Sequence, residues 1–134
     1  MTNLKPNDNG VACLLVSYTG SLDSHVKLYA TTLTGTGLGT YLNFKVEEGD
    51  GAVPADGTCT NFSNASTLYD GTLSTAVTGF TVTHNGFGNG VGTFAPTGSS
   101  SATKAYRFTW SLQDNNAAQG LDSTVKLVWE AQND

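Results

Sequence analysis

Hydrophobic and polar positions alternate most regularly in two runs between Ala105 and Ala131. Tyr106, Phe108, Trp110 and Leu112 alternate with Arg107, Thr109 and Ser111. Val125, Leu127, Trp129 and Ala131 alternate with Thr124, Lys126, Val128 and Glu130. A period of two puts one set on a buried face and the other towards water, which predicts two strands. Both tryptophans fall on the apolar sets, so Tyr106, Phe108, Trp110, Val125, Leu127 and Trp129 are the expected core anchors. The connection Asp114–Gly120, DNNAAQG, is too long for a tight two-residue hairpin, so the two strands are free to lie in different sheets.

The same test finds further strands upstream. Val11–Tyr18, VACLLVSY, is mostly apolar and predicts a strand buried on both sides. His25–Thr31 has Val26, Leu28 and Ala30 on one face and His25, Lys27 and Tyr29 on the other. Tyr41–Glu47 alternates with Leu42, Phe44 and Val46 inward, followed by a long acidic loop over Glu48–Thr60. Thr67–Asp70 reads as a short strand, Gly71–Ala76 as one helical turn and Phe80–His84 as a further strand. His84–Gly92 and Thr93–Thr103 are dense in turn residues. No long amphipathic helical period appears, and no repeat or linker divides the chain. Roughly seven strands with uneven loops predict an all-β fold, an antiparallel β-sandwich of the jelly-roll type, as one domain over 1–134.

Composition strengthens this reading. Apolar residues make up 38% and charged residues 13%, and 16 glycines are present. Abundant Thr suits strands, and Gly and Asn suit turns. The net charge is −5, and the six Lys and Arg are scattered. No basic patch exists to neutralise phosphates, which argues against nucleic acid as a partner and against an anionic membrane surface. No apolar run approaches a membrane span, so membrane insertion is not expected. No signal peptide precedes the first turn, as expected of a trimmed start or of export by another route. Cys13 and Cys59 are an even pair in a secreted-type composition, which favours one disulfide; two buried free thiols are the alternative.

Candidate chemistry is sparse. His25 and His84 lie far apart without His-Glu-x-x-His spacing, and the cysteines offer no metal-ligand pattern, so neither a metal nor a cofactor is implied. Glu47, Glu48, Asp50 and Asp56 cluster around one loop, and a solvated acidic loop is the plain reading, with a weak calcium site as the alternative. No Gly-x-Ser-x-Gly elbow accompanies the many hydroxyls, and no catalytic residue is assigned. Thr34–Thr40, TGTGLGT, lacks the Lys of a phosphate loop. Tyr29 and Tyr41, on the polar side of their strands, are the candidates for an exposed ligand face suited to carbohydrate. Asn61-Phe62-Ser63 and Asn64-Ala65-Ser66 fit the N-glycosylation acceptor pattern.

Several short stretches resemble the TasA/camelysin-like family of bacterial surface and biofilm-matrix proteins. Asn3-Leu4-Lys5-Pro6-Asn7-Asp8 is similar to that family's Asn-[Leu/Met]-x-Pro-Gly-Asp turn, with Asn7 in place of Gly, a change that left-handed geometry tolerates. Val16–Leu22, Val26–Ala30, Leu68–Leu73, Gln113–Gly120 and Trp129–Ala131 resemble features that follow in the family. The resemblance implies a secreted jelly-roll domain that assembles into extracellular fibres by donor-strand exchange. It also implies a segment before the turn, including an early strand, that this chain does not begin with. An unfilled sheet position invites strand addition. The expectation is therefore a non-enzymatic extracellular or cell-surface structural subunit whose partner is a second copy of itself. The alternative is a carbohydrate-binding module or a decoration domain on a virion or other surface. Camelysin-type metallopeptidase activity finds no matching ligand spacing here.

Overall fold

The computed structural model describes residues 4–134, so Asn3 of the opening motif lies outside the described residues. Six strands form two antiparallel sheets packed face to face as a β-sandwich. The strands are β1 (Asn9–Tyr18), β2 (Ser24–Gly35), β3 (Leu42–Asp50), β4 (Ser63–Thr72), β5 (Ala102–Leu112) and β6 (Ser123–Asn133). One sheet has the order β1-β5-β3-β4, and the other contains β2 and β6 alone. The long Asp114–Gly120 connection does carry the chain from one sheet to the other, since β5 and β6 belong to different sheets.

Alternation explains which faces meet. Val26, Leu28 and Ala30 of β2 and Leu42, Phe44 and Val46 of β3 are all buried, as their period of two requires. Tyr106 and Leu112 of β5 join them, with Leu73 and Phe80 from the segment after β4. Aromatic rings bind the layers together. Phe44 stacks on Phe108 at 6.0 Å and meets Phe80 edge-on at 5.4 Å. Trp129 of β6 meets both Tyr106 and Phe108 of β5 edge-on, at 5.5 and 6.0 Å. Burying side chains of this size stabilises the fold by about 1.5–3 kcal/mol each.

The opening turn follows its residue chemistry. Asn7 adopts a left-handed conformation (φ 67°), and the Asp8 carboxylate accepts the Lys5 backbone N–H at 2.7 Å. The disulfide joins Cys13 of β1 to Cys59 across 46 residues.

Several expectations are corrected. The apolar run of β1 is an edge strand, not one buried on both sides: Val11 is 56% exposed, Leu14 43% and Leu15 37%. Its composition suits two-sided burial, but among the described residues no strand packs across either of its faces as β6 does across β5, and only Cys13, bonded to Cys59, is buried. Phe80–Thr83 is a helical turn, closed by hydrogen bonds from Thr83 and His84 to Gly79 and Phe80. All four of its residues favour strands, yet only Phe80 is buried, and docking that ring into the core decides the conformation. Gly71 and Thr72 belong to β4, not to a helical turn, because they pair with Phe44 and Asn43. The strand β3 runs on to Asp50, so Glu48 is a buried strand residue and not part of a solvated loop. Merging the Phe80 segment into the core as a turn brings the strand number to six.

Candidate functional site

The sheet edges differ sharply, and hydrogen-bond parity shows how. The backbone N–H groups of Ser24, Val26, Leu28 and Ala30 donate away from β6, to the carbonyls of Pro96, Phe94, Val91 and His84. Residues of β2 with even numbers therefore face the 84–96 segment, and those between them face β6. His25, Lys27 and Tyr29 stand opposite Gln132, Glu130 and Val128. Opposed antiparallel pairs alternate between those that exchange both bonds and those that exchange none, so these β6 residues, opposite the β2 residues that face β6, are the ones tied to β2. The backbone groups of Val125, Leu127, Trp129 and Ala131 consequently point to the far side of β6. Among the described residues no strand or loop pairs with that side.

The layer opposite is uncovered in the same place. β1 pairs with β5 through Ala12↔Phe108 and Leu14↔Tyr106. Directly opposed residues share a face, so Ala12 and Leu14 belong to the face that carries Phe108 and Tyr106 into the core. Because β6 covers β5 and no described strand lies beyond β6 in its sheet, the core-facing side of β1 meets solvent, and Leu14 is 43% exposed there. Val16 and Trp110 are half-buried at the margin of the core. The Trp110 ring lies over Gly10, where a Cβ would stand 2.5 Å from it, so only glycine admits the ring. The result is an apolar trough, with β1 and Trp110 as its floor and the bare edge of β6 as its wall. Phe108, Val125, Leu127 and Trp129 are likewise only half-buried along it.

The polar interior is mostly satisfied. The Glu48 carboxylate accepts the Thr93 backbone N–H and hydroxyl and the Tyr106 hydroxyl at 3.1 Å, tying the 84–96 segment to the core. Burial, reinforced by the Glu48 charge, pushes the Tyr106 phenol far above its ordinary value. Glu47 accepts from Arg107 at 2.7 Å and lies 3.2 Å from Lys45. The Arg107 hydrogen bond holds the Glu47 carboxyl below the usual carboxylate range despite its burial. One group is unsatisfied: the buried indole Nε1–H of Trp129 has no partner. An orphaned buried donor costs about 1–3 kcal/mol.

The other sequence candidates are dispersed. Of the core anchors, Tyr106 is buried and the rest are half-buried against the core. Tyr29 lies on the outer face of the two-stranded sheet, donating to Glu130 at 2.5 Å, which holds its phenol above the ordinary value. Tyr41 ends a short turn (Leu38–Tyr41) and packs against the core, so the two tyrosines do not share a face. His25 pairs with Asp134, and His84 rests on Phe80 and Tyr69. The acidic cluster is separated: Asp50 pairs with Lys104 at 2.9 Å, and Asp56 accepts from Thr58. Among the described residues no group of three or more His, Cys, Asp or Glu gathers as a metal site. The glycine-rich turn after β2 lines a shallow hollow with Ser74 and Ser123 and no charged side chain. Sequence reasoning missed Glu48 as an interior anchor and Ala12, Leu14 and Val16 as an uncovered face. The first follows from two adjacent glutamates in a strand register that puts one on each face; the second depends on strand order. No family model, curated protein or solved structure matches this chain.

Proposed function

We propose that this chain is a non-enzymatic structural subunit that builds an extracellular surface or matrix filament by β-strand donation between copies. The observation that carries the reading is the bare edge of β6 above the uncovered apolar side of β1. A strand laid there would pair with Val125, Leu127, Trp129 and Ala131 and cover Leu14 and Trp110. It would bring the two-stranded sheet closer to the four-stranded one, which fits the jelly-roll reading of the sandwich. The disulfide suits an oxidising compartment outside the cytoplasm.

The test uses two point variants whose effects on the isolated subunit are small. Leu14→Glu charges a side chain that is already 43% exposed, and Ala131→Pro removes one N–H from the bare edge only. Wild-type protein is expected to form filaments visible by electron microscopy as concentration rises. Both variants should fold normally and remain monomeric in light scattering. Filaments of unchanged yield from both would refute the proposal.

A further inference from the structure

Three of the four sheet edges are protected, each in a different way, and one protection is covalent. β2 is sealed by the 84–96 segment. β4 is polar and breaks its register with β3 twice, between Val46/Glu47 and Glu48/Asp50, which twists an edge out of a flat template. β1 has neither device. It is ten residues long, carries no charge from Asn9 to Tyr18, and exposes Val11 and Leu15 on the outer face. A long, uncharged, apolar edge is a template for adding strands. What occupies it is the segment 51–62, which leaves β3, reaches β1 and returns across β5, where Phe62 lies 4.6 Å from the Arg107 guanidinium. There the Cys13 N–H donates to the Gly57 carbonyl at 2.8 Å, and Cys13 is bonded to Cys59. The contact falls mid-strand and leaves free pieces over 9–12 and 14–18, neither longer than the roughly 5–6 residues of a typical strand.

We propose that segment 51–62 is an edge guard, fastened by the Cys13–Cys59 disulfide, that closes β1 to a second copy of this chain and leaves β6 as the open edge. The occupant that the guard excludes is the β1 of another copy. Two such strands set antiparallel about a two-fold axis bring Val11 and Leu15 of each against the other with no like charges opposed. The oxidised subunit therefore grows from one side, and the unguarded subunit joins face to face. This rests on the reading of β6 as the acceptor only in its consequence for growth; the pairing of β1 is separate.

The experiment separates the two edges. Ala131→Pro closes β6, and Cys13→Ser with Cys59→Ser unfastens the guard. Single A131P protein, oxidised, is expected to be monomeric by multi-angle light scattering. The triple variant A131P/C13S/C59S should double its mass to a discrete dimer while keeping its far-ultraviolet β-sheet spectrum. Adding Val11→Lys and Leu15→Lys should return it to monomer. Folded A131P protein treated with a dithiol should behave as the triple variant: the dithiol closes to a cyclic disulfide, and its two electrons and two protons pass to the Cys13 and Cys59 sulfurs. A triple variant that stays monomeric with its sheet spectrum intact overturns the guard. So does one that loses that spectrum, because the segment would then be holding the fold together. A131P protein that assembles while oxidised counts instead against β6 as the acceptor.

Discussion

The two edges of the β2-β6 sheet face opposite fates. Along β2, a segment without a strand of its own accepts one backbone N–H after another on its carbonyls and is fastened to the core through Thr93 and Glu48. Along β6, Val125, Leu127, Trp129 and Ala131 present their outer backbone groups to no described partner, although three of these four are large and apolar. Both edges belong to the same small sheet, so the difference is not one of intrinsic strand quality. Sealing β2 takes a long irregular insertion, and an equivalent insertion beside β6 is not present among the described residues. Where a chain closes three edges by three separate devices, the fourth is the place to look for an interaction.

The sharpest way to test this asymmetry is to compare a covered and an uncovered position in the core-facing layers. Phe44→Ala removes a ring that touches three others and should cost about 3–5 kcal/mol in urea unfolding. Leu14→Ala should cost under about 1 kcal/mol in the isolated subunit, because the side chain is already 43% exposed. Equal costs would mean that the trough is filled. Next come two neighbours in β6. Glu130→Pro breaks a bond to β2 and should lower stability by about 3 kcal/mol, whereas Ala131→Pro should change the melting temperature little. Reversed effects would overturn the parity assigned to the edge.

A smaller effect concerns the middle of the four-stranded sheet, where Glu47 is paired with Arg107 and Lys45. Glu47 is held below its unfolded value of 4.5, chiefly by Arg107. A carboxylate lowered on folding adds stability above the unfolded value, and that stability is lost as pH falls through the folded value. Thermal midpoints should therefore be flat from neutrality to about pH 5 and decline below it. In Glu47→Gln the decline should be shallower and the neutral-pH midpoint lower; an identical acid profile would remove Glu47 from that role. The smallest effect is expected at the open side. Trp129→Phe trims the ring but also deletes the orphaned Nε1–H, so the two terms oppose and denaturation should shift by less than about 1.5 kcal/mol.

Much of the sandwich was readable from period alone. The inward sets of β2, β3 and β5 and the sheet change after Asp114 all follow from residue alternation and loop length. Two kinds of information were not. Strands longer than their clean alternation, such as β4 with its polar SNAST start, are held by pairing with a neighbour and not by their own apolar period. The exposure of β1 depends on which strand lies across from it, a global property that VACLLVSY cannot encode locally. Its apolar run was legible; that nothing would cover it was not. The same limit applies to the trough itself, since Leu14 and Val125 lie far apart in sequence and become neighbours of one opening only through the order of the strands.

The placement of the indoles has a practical consequence. Trp110 and Trp129 are the chain's two tryptophans, and both lie half-buried along the uncovered side. The ultraviolet emission of the protein therefore originates almost entirely at the opening. A strand that settles there would drive water from Trp110 and move the emission to shorter wavelength, so occupancy is readable in real time without a label.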